Sequence, residues 1–169
     1  MPPRAQYNIR ARFPREHRGM HPTVWDTLAL IMDYIEALPH RPPMRLLDEI
    51  ADLVPGSRCL ARRRTRADDF FFDGHFPGTP VVPACILVEM IAQAGGIAAA
   101  AALAGAPIPL RVAAFGPCKF PAAAGSDAAL EIDARIAGRM AGLYKIHGQV
   151  HADGVLVASG EVTLAGPRA

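Results

Sequence analysis

The sequence predicts an α+β fold in which an antiparallel sheet of five or more strands wraps one long apolar helix. Three observations carry this. From Pro83 to about Ala104 the chain holds only two strongly polar residues, Glu89 and Gln93, in a stretch otherwise apolar or small. Leu130, Ile132, Ala134 and Ile136 alternate with Glu131, Asp133 and Arg135, the period of a half-buried strand. Asp153-Gly154, between two further strand-like runs, is a strong hairpin signal. A helix apolar nearly all round has to be enclosed, and a sheet curled about it does so. With only one such helix, a second copy of the sheet helps finish the burial, so dimerisation is expected on this ground alone.

The elements follow in order. Thr23 to Leu38 sets Val24, Leu28, Ile31, Met32 and Ile35 at helical spacing and stops before Pro39. Met44 to Val54 reads as a strand, Pro55-Gly56 as a turn, and Arg58 to Thr65 as the hairpin partner. Pro77, Pro80 and Pro83 remove backbone donors and Gly74 and Gly78 allow tight bends, so His75 to Val82 is an irregular loop. Pro83 suits the first helical position, where its missing N–H costs nothing, and Gly105 suits the stop. Leu110 to Phe115, Ala129 to Ala137, Leu143 to His151 and Val155 to Leu164 complete the strands. Residues 1–22, rich in arginine, read as a flexible basic extension, and residues 23–169 as one domain.

Composition narrows the function classes. The chain has 169 residues, 51% of them hydrophobic, enough for a real core in one domain. A net charge of +2 is too small to argue for nucleic acid. Three cysteines, Cys59, Cys85 and Cys118, form neither a disulfide framework nor a metal-like spacing, which fits a reducing compartment. No apolar run follows the N-terminal arginines closely, so no secretory signal is read and a cytoplasmic location is expected. Val81 to Ala104 is long enough to cross a membrane. Glu89, Gln93, the Gly95-Gly96 pair and flanks without charge bias favour a buried core helix instead.

The chemistry concentrates in FFDGHFPGTPVVPACILVEMIAQ, residues 71–93, where His75 stands in the proline-punctuated loop and Glu89 on the apolar helix. An unpaired carboxylate in such a helix is costly and needs a reason. Gln93, four residues on, shares its face. Cys85 reads as a small core residue, since no basic partner is near it in sequence. His147 and His151 share a strand face but stand ~13 Å apart at standard rise, too far to chelate one ion. His40 stands alone, and neither metal nor cofactor is expected. Arg58, Arg62, Arg63, Arg64 and Arg66 read equally as a solvated strand surface or as a docking patch for an acidic partner.

GHFPGTPVVP, with its spacing to Glu89 and the following Ala92-Gln93, closely resembles the signature of FabZ-type (3R)-hydroxyacyl-acyl carrier protein dehydratases. LPHRPPMRLLDEI (38–50) and AAFGPCKFPAAAGSD (113–127) resemble the same family's entry segment and later strand and turn, so the likeness spans roughly Ile35 to Leu164. The resemblance implies a hotdog fold, paired subunits that often assemble as a trimer of dimers, and acyl carrier protein as partner. It also implies a site sharing His75 from one subunit and Glu89 from the other. By the same mapping the Val81 carbonyl orients the His75 ring and the Ala84 amide receives the thioester oxygen, with Gly78, Cys85 and Gln93 also lining the substrate site. The family usually has glycine where Ala84 stands, which would strain the backbone if that position needs positive φ.

That assignment also makes chemical sense on its own. Removing water from a 3-hydroxyacyl thioester needs a base for the α-proton and an acid for the departing hydroxide. Histidine is available as base near neutral pH, and a carboxyl on an apolar helix tends to keep its proton. The first helix amides, at Ala84, Cys85 and Ile86, lack intrahelical partners and lie at the positive end of the dipole, where enolate charge would develop. Other readings remain: a hotdog thioesterase with Glu89 activating water, or a silent hotdog subunit completing a heteromer. An enoyl-coenzyme A hydratase is disfavoured, because hydratase relatives usually place the carboxylate before the histidine.

Overall fold

The structure, a computed structural model, describes residues 34–36, 38–102 and 110–166. The expected basic extension lies outside the described residues, as does most of the helix expected from Thr23; residues 34–36 are helical and Leu38 is not. The elements in order are β1 (Glu49–Val54), β2 (Arg58–Arg64), the central helix α1 (Ala84–Ala101), β3 (Arg111–Lys119), β4 (Ala129–Met140), β5 (Leu143–Ala152) and β6 (Val155–Ala165). All six strands form one antiparallel sheet in the order β1-β2-β4-β5-β6-β3.

The alternation in β4 holds as read: Leu130, Ile132 and Ala134 face inward and Glu131 and Arg135 face out. β5 repeats the pattern, burying Tyr144, Ile146, Gly148 and Val150. These inner faces close on α1, which packs against β2, β4, β5 and β6. Met90, Ile91 and Ile97 on the helix are no more than 2% exposed. α1 is long and apolar enough to cross a membrane, but 72% of it is buried inside the fold, as a core helix should be.

Two turns go as their sequences direct. Gly56 has φ +75° at the third position of the Val54–Ser57 turn, and its amide donates to the Ala98 carbonyl of α1 at 2.8 Å. Asp153 and Gly154 both have positive φ, as a two-residue hairpin with primed-turn geometry requires.

Several boundaries differ from expectation for physical reasons. β1 starts at Glu49 and not Met44, because residues 44–46 are engaged by a turn onto the Arg41 carbonyl and by a helix side chain instead of a neighbouring strand. β3 runs past Pro117 to Lys119, across a register shift between Phe115 and Cys118. An edge strand tolerates proline, since one side of it has no ladder to feed. β4 continues beyond Ala137 to Met140 and turns through Ala141-Gly142, both at positive φ, a hairpin with weak sequence signals.

Candidate active site

His75 sits in a loop braced against itself. The Val81 amide donates to the His75 carbonyl at 3.2 Å, the Thr79 amide donates to the Phe76 carbonyl at 2.9 Å, and the Val82 amide donates to Ala124 at 2.8 Å. Gly74 and Gly78 take positive φ where the chain bends. The His75 ring is held by Nδ1 2.9 Å from the Val81 carbonyl oxygen, and its face lies 4.3 Å from the Phe76 ring. A carbonyl can only accept, so the proton of the neutral ring is on Nδ1 and Nε2 keeps its lone pair.

The helix start lies directly after this loop. Pro83 caps α1 instead of opening it, and Ala84 is the first helical residue. Ala84 is absent from the positive-φ residues, so alanine fits there without backbone strain. The Ile86 amide already donates to the Pro83 carbonyl at 2.9 Å. That leaves Ala84 and Cys85, not three residues, as donors without an intrahelical acceptor. Cys85 is exposed in the single chain, which corrects its reading as a core residue. The thiol that behaves as core is Cys59, fully buried in β2, where burial pushes its pKa up to about 12.

Glu89 lies one turn further along and is partly buried. Its Oε1 accepts from the Gln93 side-chain amide at 3.0 Å and stands 3.2 Å from His40 Nε2. Gln93 is 2% exposed, and its remaining polar groups bond the Leu46 amide at 3.0 Å and the Met44 carbonyl at 2.8 Å. Its polar atoms thus serve Glu89 and the 44–46 segment. His40, read from sequence as isolated, is the residue that sequence reasoning missed. Only the fold brings position 40 to position 89; the one prior signal was that its segment resembles the family's entry stretch.

The structure therefore forms two groups within the chain: His75 with Val81, and Glu89 with Gln93 and His40. None of these contacts joins His75 to Glu89. Gly78 is exposed at the loop bend and Ala84 is exposed at the helix start.

Four of the five clustered arginines, all but Arg64, are paired with carboxylates among the described residues. Arg58 pairs bidentately with Asp133, at 2.8 and 3.1 Å, Arg62 with Glu49, and Arg63 with Asp48 and Asp69. Burial raises the Asp133 carboxyl, but hydrogen bonds from Arg58 and Arg135 outweigh it and hold the group below its ordinary range. Arg58, Arg62 and Arg63 lie on β2, which is inside the sheet and not at its edge. A groove of about 1010 Å³ beside them, lined by Pro42, Arg45, Asp48, Arg63, Arg66 and Phe70 among others, holds none of the expected site residues.

The family model for the FabA-like domain matches residues 38–161. The chain is 34% identical over 135 residues to the 3-hydroxyacyl-[acyl-carrier-protein] dehydratase FabZ of Syntrophotalea carbinolica, covering 78% of this chain and 90% of that protein. Its identity to the FabZ of Geotalea uraniireducens is 33% over 137 residues, covering 78% and 92%. Among solved structures, the dehydratase heterocomplex ApeI:P from Xenorhabdus doucetiae superposes with a TM-score of 0.67 at 18% identity, over 79% of this chain and 91% of that one. A hypothetical thioesterase from Streptococcus pneumoniae superposes at 0.56 with 11% identity, over 72% and 90%. At such identities the structural likenesses speak for the shared hotdog fold alone.

Proposed function

The chain belongs to the FabA-like family, and from that premise we propose that His75 and Glu89 divide the removal of water from a 3-hydroxyacyl chain. The protein is a FabZ-type 3-hydroxyacyl-[acyl-carrier-protein] dehydratase of fatty acid biosynthesis. The observation that carries the division of labour is the His75 ring pinned through Nδ1 on the Val81 carbonyl. Its Nε2 is then the base that takes the α-proton. Electrons move into the thioester carbonyl, whose oxygen is stabilised by the amides at the start of α1, Ala84 foremost. Glu89 gives its proton to the 3-hydroxyl, water leaves, and the 2-enoyl thioester remains. Return of the α-proton from His75 toward Glu89 by way of solvent resets the pair.

The working unit in this reading is a homodimer in the cytoplasm, with His75 of one subunit serving Glu89 of the other. Its support is that no contact among the described residues joins the two groups within one chain, together with the state of β3. That edge strand exposes Val112 and Phe115, the latter 67% exposed, with Phe120 just beyond it. An open edge with apolar side chains invites a second strand. The free state of Cys59, Cys85 and Cys118 suits a reducing compartment.

The purified protein should interconvert crotonyl and 3-hydroxybutyryl thioesters, followed by enoyl-thioester absorbance, without releasing free thiol. Thiol release would move the assignment to a thioesterase, and no turnover on short or long chains would make this a silent subunit. Inactive His75→Ala and Glu89→Ala proteins, mixed so that subunits exchange, should regain part of the activity. Continued inactivity despite proven exchange would sink the shared site.

A further inference from the structure

Glu89 meets its surroundings through one oxygen. The Gln93 amide nitrogen lies 3.0 Å from Oε1 and His40 Nε2 lies 3.2 Å from the same atom, while among the described residues no donor is placed on Oε2. Each neighbour is itself held. Gln93 cannot turn its amide over without losing its bonds to Leu46, Met44 and Glu89 together, so its nitrogen must face the carboxyl. His40 stands on a loop tied by Arg41, whose guanidinium donates to the Leu38 carbonyl at 2.6 Å and the His40 carbonyl at 2.8 Å. The Arg41 carbonyl in turn accepts from the amides of Met44 and Arg45.

The state of the His40 ring follows from its other nitrogen. Among the described residues Nδ1 is buried without a hydrogen-bond partner. A proton there would be a buried donor with no acceptor, so the neutral ring carries its proton on Nε2, facing the carboxyl. The Gln93 N–H thus donates to Oε1, and the His40 N–H faces the same atom in a 3.2 Å contact.

We propose that His40, together with Gln93, reserves Oε1 of Glu89 as a permanent acceptor, so that the proton delivered to the substrate hydroxyl is carried on Oε2. His40 is then a positioning residue for dehydration, and the inference rests on the reading of Glu89 as the acid. A carboxyl has one O–H, and an oxygen that already accepts the Gln93 N–H and faces the His40 N–H is the wrong place for it. The proton is thereby aimed from a single oxygen. Once it has left, the same two donors meet the carboxylate that remains.

The test compares two substitutions in the full-length enzyme. His40→Phe keeps the ring's bulk and loses the donor; it should lower kcat about ten- to a hundredfold and move KM by less than about threefold. His40→Gln retains an N–H at similar reach and should bring kcat back to within about threefold of the unmodified enzyme. A His40→Phe enzyme with unchanged kcat, a loss lying wholly in KM, or a His40→Gln enzyme no better than His40→Phe would each overturn the proposal. Nitrogen NMR of the imidazole rings in the unmodified protein gives a check that needs no variant to fold: a His40 proton on Nδ1 would also overturn it. Glu89→Gln, measured alongside, separates the two readings. If it turns over normally the acid assignment itself falls, whereas an inactive Glu89→Gln beside fully active His40 variants removes only the role of His40.

Discussion

Gln93 shows how much can rest on one side chain. Its amide joins the acid-bearing helix to residues 44–46, a stretch with no strand ladder of its own. Replacing it by leucine of similar bulk would leave the Leu46 N–H and the Met44 C=O without partners, in a place where Leu46 is fully buried. We expect Gln93→Leu to cost about 1–3 kcal/mol in urea unfolding, chiefly from the buried Leu46 N–H since Met44 is exposed, and to lower kcat as well. Unchanged stability would mean that water replaces the amide. The helical spacing of Glu89 and Gln93 made their pairing legible in the sequence. The partners at 40, 44 and 46 were not, because contacts across more than forty residues are set by how the chain returns over the helix. The Val81 carbonyl was anticipated only through the family motif. Cys85 was misread because an apolar run does not say which of its faces opens to the outside.

At the scale of elements, α1 and β5 are pressed together at two glycines. A Cβ on Gly148 would lie 2.2 Å from Ile91 Cγ2 and 3.0 Å from Ile91 Cβ, and one on Gly95 would lie 2.7 Å from Ile146 Cγ2. The Gly148 contact includes the root of the isoleucine side chain, so rotation alone does not relieve it. Gly148→Ala should therefore destabilise the protein by about 1–3 kcal/mol in thermal or urea unfolding, the usual range for an overfilled core. Ile91→Val in the same chain should return part of that loss, since the two positions touch. A stable Gly148→Ala protein with no compensation from Ile91→Val would show that the helix is free to shift away from the sheet. The helix and the strand alternation were readable because both periods are strong. The strand ends were less so. Pro117 reads as a stop until β3 is known to be an edge, and Ala141-Gly142 carries little turn signal because alanine seldom takes positive φ.

For the whole molecule the open question of the sheet is its β3 edge, which leaves a nine-residue strand bonded on one side only. In the proposed dimer this edge meets its own copy. Phe115→Glu would place two like charges in that seam, and we expect sedimentation to show a shift toward monomer with a parallel fall in turnover. A Phe115→Glu protein that stays dimeric would move the interface elsewhere. The sequence could argue for a second copy from the single apolar helix, but it could not say that β1 and β3 form the two edges, since strand order is set by long-range pairing. The arginine cluster was likewise visible as charge and invisible as a network, because its carboxylate partners come from β1, β4 and the segments flanking β1 and β2.

The glycine contacts between α1 and β5 also bear on what the enzyme can hold. Where a single methyl group has no space, a hydrocarbon tail has none either, so at the level of Gly148 and Gly95 the helix-to-strand seam is closed to substrate. An acyl chain reaching past Glu89 must be housed on another side of the helix, and the length limit of the enzyme is written in the residues there.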